Sequence, residues 1–421
     1  MNRRNSLPVA SPDKWSQLSD NSVYRNLHML GTSVCSKVSK LGGPTTLQRV
    51  VVYGRYRLSF RKLVLTLHLW AGLLAGAFLL MLGTTGCLLV YERGIDQALN
   101  RRLVHVQPMT QPLPLGKLFS DLEKAHPGYH VTDMAFSREP DIGYQMYLNP
   151  GANAEGFVTI VNQYNGLELG SASTANQFMN FVNGLHTHLL METHRETGRF
   201  IVGVSSILLL FLSCSGLVLW WRRKLFVVNW STAPGRINFD LHNMLGAFFS
   251  LFLFCFSLTG IALAWDESIS KIVNRVTRSY GMPVTPEMPE PPSGAAPLGV
   301  DQILVSARAA LPGAEIDSLS MHPGEPVDLR MKFPEDRTPV GRSRVRVDPY
   351  TGSVLNVWNT RTAPIGFKIN RMWIREIHSG DIFGWPTRIL ACIASLVLPI
   401  LTITGTLIWW HRRRRFVARN F

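Results

Sequence analysis

Residues 63–91 read LVLTLHLWAGLLAGAFLLMLGTTGCLLVY, a run with no formal charge and one imidazole, His68. A helix rises 1.5 Å per residue, so about 20 apolar positions cross the roughly 30 Å hydrocarbon core of a bilayer. The run is long enough. Three more follow: Phe200 to Trp221, Leu241 to Trp265 and Ile389 to Trp410. Each is closed at both ends by a charged or basic residue: Arg199 and Arg222, Asp240 and Asp266, Arg388 and His411. Four transmembrane helices are therefore expected.

Composition agrees. Of 421 residues, 46% are hydrophobic and only 17% charged. Disorder along the whole chain is excluded by the apolar content, and a simple soluble globule by its clustering. The net charge of +15 has a topological cause. Basic residues gather at Arg55, Arg57, Arg61 and Lys62, at Arg222-Arg223-Lys224, and at His411 to Arg415. The positive-inside rule puts all three groups in the cytoplasm. The loop 93–198, with 7 basic and 10 acidic residues, and the loop 267–385 then face the other side. The excess charge implies a lipid bilayer as partner and no nucleic acid.

The expected order is a cytoplasmic tail (1–57), helix one (58–92), an outer domain (93–198), helix two (199–223), a cytoplasmic loop (224–240), helix three (241–266), a second outer domain (267–385), helix four (386–411) and a basic tail (412–421). Residues 1–57 are weakly patterned and read as disordered, or as a start assigned too early, with Met29 as an internal alternative. The first apolar run is too long for a cleavable signal and reads as an uncleaved anchor. Cys35, Cys87, Cys214, Cys255 and Cys392 form no CxxC pair, and four lie in apolar runs. They read as small buried apolar residues, not as a disulfide framework.

The chain repeats itself. Helix one carries His68-x-x-x-Gly72 and then Thr85-Gly86; helix three carries His242-x-x-x-Gly246 and then Thr259-Gly260. Helix two has Ser215-Gly216-x-x-x-Trp220-Trp221, and helix four Thr404-Gly405-x-x-x-Trp409-Trp410. The tryptophan pairs read as an aromatic belt. In the loops, Pro114-Leu115-Gly116 matches Pro297-Leu298-Gly299, and Val161 to Gly166 matches Val347 to Gly352. Each loop reads as a small α+β domain ending in a strand, a glycine turn and a returning strand. The fold expected is membrane α-helical, with four transmembrane helices and two extracytoplasmic α+β domains, internally duplicated.

Histidines inside apolar spans usually face the bundle interior and mark a function. His68 and His242 occupy equivalent places near the cytoplasmic face. Two imidazoles facing across a bundle, with small residues beside them, suit a haem iron held by two axial nitrogens. Near the outer face, Leu185-His186-Thr187-His188 precedes helix two and Ile377-His378-Ser379-Gly380 precedes helix four. A second pair would be His186 with His378, with His188 and His194 as alternatives to His186. His28, His105, His126, His130 and His322 read as surface residues without partners. No GxGxxG at a strand-to-helix turn, P-loop, HExxH or GxSxG is present. Electrons passing through would need a separate donor.

These residues resemble the PepSY-associated transmembrane helix family of bacterial inner membranes. The resemblance rests on His68-x-Trp70-x-Gly72 with Thr85-Gly86, Leu185-His186 up to Gly198-Arg199, His242 to Gly246 with Thr259-Gly260, and Ile377-His378-Ser379-Gly380. Val347-Asp348-Pro349-Tyr350-Thr351-Gly352 is similar to a PepSY signature; the first repeat has Asn162 in place of Asp348. The resemblance spans about residues 58–415. It implies PepSY-like outer domains and two b-type haems, one on His68 and His242 and one on His186 and His378. It also implies reduction of ferric siderophores or similar chelates on the periplasmic side, with a cytoplasmic or membrane electron donor. The competing expectation is a non-redox anchor whose outer domains bind a peptide, protease or envelope partner.

Overall fold

The computed structural model describes residues 60–150, 156–171, 177–221, 226–280, 286–291 and 294–420. The expected tail 1–57, with Met29, Cys35, Arg55 and Arg57, lies outside them, as does Arg222-Arg223-Lys224. The first half of the chain runs α1 (Phe60–Val90), α2 (Glu92–Leu99), α3 (Arg101–Val104), α4 (Leu115–Ala125), β1 (His130–Ala135), β2 (Tyr144–Asn149), β3 (Phe157–Val161), β4 (Glu168–Ser171), α5 (Gln177–His188) and α6 (Arg195–Trp220). The second half follows a closely similar plan: α7 (Pro234–Ala264), α8 (Asp266–Val276), α9 (Val300–Ala310), β5 (Glu315–Ser320), β6 (Val327–Lys332), β7 (Ser343–Val347), β8 (Val354–Trp358), α10 (Ile365–Lys368), α11 (Ile374–Ser379) and α12 (Trp385–Asn420).

The helices α1, α6, α7 and α12 are long and apolar enough to cross a membrane. Only 22% to 33% of their most apolar windows is buried inside the protein, so most of that apolar surface is left for lipid. Two of them outrun their apolar stretches. α7 begins at Pro234, where a proline at the first helical position loses no hydrogen bond. α12 continues through Arg412 to Arg415, because arginine is a good helix former. The four pack as a ring in the order α1, α6, α7, α12, which puts α1 and α7 across a diagonal. Small residues let backbones approach. A Cβ on Gly83 would meet the Ser395 carbonyl of α12 at 2.6 Å. One turn along, Cys87 and Cys392 have Cα atoms 4.4 Å apart and form a disulfide. This corrects the reading of both as merely apolar; facing positions on two touching helices cannot be seen from spacing. Cys214 and Cys255 are free.

The two loops build one sheet. Eight antiparallel strands run in the order β4-β3-β2-β1-β5-β6-β7-β8. The halves meet at β1 and β5, where Met134 pairs with Leu319. Where the sequence suggests two small α+β units, the unit edges close on each other, so neither inner edge is left unpaired. Helices α4 and α9 cover one face, and Leu118, Met146, Ile303 and Leu329 share its core. Asp301 of α9 accepts from the backbone N–H of Leu115 and Gly116, capping the other half's helix. The two matching turns are alike: Tyr164 N–H donates to Asn162 Oδ1 (2.9 Å) and Tyr350 N–H to Asp348 Oδ1 (2.8 Å). Gly166 and Gly352 close them at φ of 76° and 71°, where a side chain would be strained.

Candidate functional site

The four histidines of the spans each lie against a hydroxyl and a glycine on the neighbouring helix of their own half. His68 Nδ1 on α1 is 2.8 Å from Ser215 Oγ on α6. In return, His186 Nδ1 on α5 is 2.8 Å from Thr85 Oγ1 on α1. The second half repeats the exchange: His242 on α7 with Thr404 on α12 at 2.9 Å, and His378 on α11 with Thr259 on α7 at 2.9 Å. The next residue is glycine every time. A Cβ there would come within 3.3 Å of the ring at Gly216 and Gly86, 3.1 Å at Gly405 and 3.6 Å at Gly260.

The hydrogen bonds fix the tautomer. Each hydroxyl already donates to a carbonyl four residues back: Ser215 to Phe211, Thr85 to Met81, Thr259 to Cys255 and Thr404 to Ile400. A hydroxyl has one proton, so its oxygen must accept from the imidazole. Nδ1 therefore carries the hydrogen in all four rings, and Nε2 keeps a free lone pair. A neutral imidazole held through Nδ1–H is the form that ligates a metal.

The rings lie at two levels. His186 and His378 face each other near the end that carries the sheet, with ring centroids 6.2 Å apart and planes at 61°. His68 and His242 sit towards the opposite end, on the diagonal helices α1 and α7. Thr85 lies 17 residues beyond His68 on α1, which separates the levels by about 25 Å. Between them Ala75, Leu79, Leu209, Phe249, Leu253 and Leu398 fill the bundle.

The chain's region 65–412 matches the family described as PepSY-associated TM region. The chain belongs to this family. The match runs from α1 to α12 and takes in all four hydroxyl-cradled histidines. No curated protein matches the chain.

Of the alternatives in this PepSY-associated TM chain, His186 is the one that faces His378. His188 is buried with both ring nitrogens engaged, by Thr187 Oγ1 at 2.8 Å and Glu192 Oε1 at 2.7 Å. His194 is exposed on a short 3-10 turn. His28 lies outside the described residues, and the other four surface histidines do have partners, contrary to expectation: His105 with Asp141, His126 with Glu168, His130 with Glu123 and His322 with Asp133. These pairs form across turns and strands, where sequence distance says little. Among the described residues no group of three or more His, Cys, Asp or Glu side chains is placed to hold a metal ion. Sequence reasoning missed what the Ser-Gly and Thr-Gly pairs are for. Four hydroxyl-glycine pairs on the spans, one for each candidate histidine, was the available signal.

Proposed function

We propose that this membrane protein holds two b-type haems and passes electrons across the bilayer to reduce a ferric siderophore or similar chelate on the sheet side. One observation carries the reading: four imidazoles in two levels, each held through Nδ1–H with Nε2 free. Two imidazoles that would hold one haem iron between them must face each other closely. The separation of His186 and His378 fits that requirement. His68 with His242 would hold the inner group, and His186 with His378 the outer one. Haem supplies reversible one-electron transfer at an iron tuned by its axial ligands.

The chain's own residues supply the rest. Ser215, Thr85, Thr404 and Thr259 orient the rings and hold the hydrogen on Nδ1. The glycines beside them let each ring press against a helix backbone. The apolar layer between the levels suits passage of electrons and opposes passage of ions. The Cys87–Cys392 disulfide lies near the sheet-bearing end, which suits an oxidising compartment such as the periplasm. Together with the basic residues at the opposite ends, it supports an inner-membrane protein with both termini in the cytoplasm. The electron donor belongs on that cytoplasmic side. One electron converts chelated Fe(III) to Fe(II), which hard oxygen donors hold less firmly, and the iron is released.

The test is an absorption spectrum of the detergent-purified chain, oxidised and then dithionite-reduced, with a haemochrome count. About two haems per chain are expected, with His68→Ala and His378→Ala each removing one. A colourless protein from haem-replete cells would overturn the reading in favour of a non-redox PepSY protein that binds a peptide, protease or envelope partner.

A further inference from the structure

The face of the sheet turned away from α4 and α9 is rich in arginine. Side chains two residues apart share a face of a strand. Asp328 and Arg330 on β6 therefore share a face with Arg344 and Arg346 on β7, and Arg342 continues the row. Arg330 and Arg344 are direct cross-strand partners. Like charges so placed repel, and a fold keeps such a pair at a cost unless something offsets it.

The carboxylates nearby have partners, although Asp328 Oδ1 is buried without one. Asp328 takes Arg344 at 2.8 Å and Arg346 at 3.8 Å. Asp133 accepts from Ser320 at 2.6 Å and lies 3.7 Å from His322. Among the described residues Arg330 has no ion pair, and Arg342 Nε is buried without a hydrogen-bond partner. Burial, with Arg375, Arg330, Arg371 and Arg344 close by, lowers the Arg342 pKa to about 10. Arg371 lies within 3.7 Å of Asp266, and Arg375 bears on Glu92. A cavity of about 380 Å3 opens on this face at the seam of the two half-sheets. Asp133, Tyr147, Ser320, Asp328, Arg330 and Arg344 are among its lining residues. That volume lies within the range of small-molecule sites.

The cluster extends to the helix that carries His378. Arg375 and His378 both lie on α11, three residues apart and so on one helix face. Arg371 is one turn earlier.

We propose that this cavity and the arginines around it bind a soluble polycarboxylate chelate of net negative charge. Arg330 and Arg344 line the cavity and Arg342 stands next in their row; the planar guanidinium fork matches carboxylate bidentately, so more than one fork favours a ligand with several carboxylates. That the chelated metal is iron rests on the electron-transfer reading above; the anion site itself does not.

The test is titration calorimetry of the full chain in neutral-lipid nanodiscs with gallium(III) citrate, a redox-inert probe. Binding is expected, weakening at higher salt and falling about tenfold or more in Arg330→Gln and in Arg342→Gln. Arg330 is exposed, so its loss leaves the fold intact, and Arg330→Lys should restore part of the affinity. A neutral gallium trihydroxamate should bind far more weakly. Equal binding by the variants, no binding by the parent, or equal binding of the trihydroxamate would each overturn the proposal. So would native mass spectrometry showing an anionic phospholipid held by Arg330 that gallium citrate does not displace. The haem spectrum separates the two readings. A colourless protein that binds gallium citrate keeps this site and ends the electron reading; a red protein that does not bind ends this proposal alone.

Discussion

His378 Nδ1 lies 2.9 Å from the Thr259 hydroxyl oxygen, although 119 residues separate them. Because that hydroxyl spends its proton on Cys255, the imidazole must donate. Thr259→Val keeps the side-chain shape and removes the acceptor. We expect haem affinity at the outer level to fall about 10- to 100-fold, the usual cost of losing a partner to a ligating histidine. The inner level should be untouched. Haem titration of the purified variant, read against Thr404→Val for the inner level, checks this.

Two glycines on neighbouring helices give opposite forecasts. A Cβ on Gly405 would sit 3.1 Å from the His242 ring, whereas one on Gly246 would meet Leu401 at an ordinary 3.7 Å. Gly405→Ala should displace the ring and destabilise the bundle by about 1–3 kcal/mol. Gly246→Ala should be neutral or slightly stabilising, since alanine is the better helix former. Thermal unfolding in one detergent compares them, and equal melting temperatures would contradict the packing described.

The Asp301 cap is testable away from the membrane. Asp301→Ala removes acceptors for the Leu115 and Gly116 amides. A lost N-cap costs about 1 kcal/mol. Hydrogen exchange should accelerate over residues 115–125 and stay unchanged in the transmembrane helices. Uniform exchange across the chain would show that α4 does not depend on this contact.

Thiol counting checks the helix pairing. Under denaturing, non-reducing conditions a maleimide should leave Cys87 and Cys392 unmodified, and reduction should expose two further thiols per chain. Cys87→Ser should free Cys392 for labelling. An unchanged count on reduction would exclude the bond.

Much of this was readable beforehand, for physical reasons. Twenty or more bare apolar residues have few fates besides crossing a bilayer, so α1, α6, α7 and α12 were plain. His68 and His242 stood out because an imidazole in such a run is costly. The choice of His186 over His188 was not legible. It depends on Leu189 and Leu190, both at φ 58°, which end α5 and send the chain into the short turn before α6. Nothing in two leucines announces a left-handed backbone. The joined sheet was hidden as well, because a strand's pattern shows which face is buried and not which edge it will meet. The arginines of β6 and β7 alternate with core residues, and that alternation does not show what the other half brings beside them.

The self-containment of each half bears on the order of synthesis. His68, Ser215, His186 and Thr85 all lie within α1 to α6, so both cradles of the first half can close before α7 leaves the ribosome. What that half cannot finish alone is its sheet. Strand β1 waits with an open edge, as sticky as any unpaired strand, until β5 is made and docks on it. A pause in translation between α6 and α7 would therefore leave the nascent protein sound in the bilayer and prone to aggregate outside it.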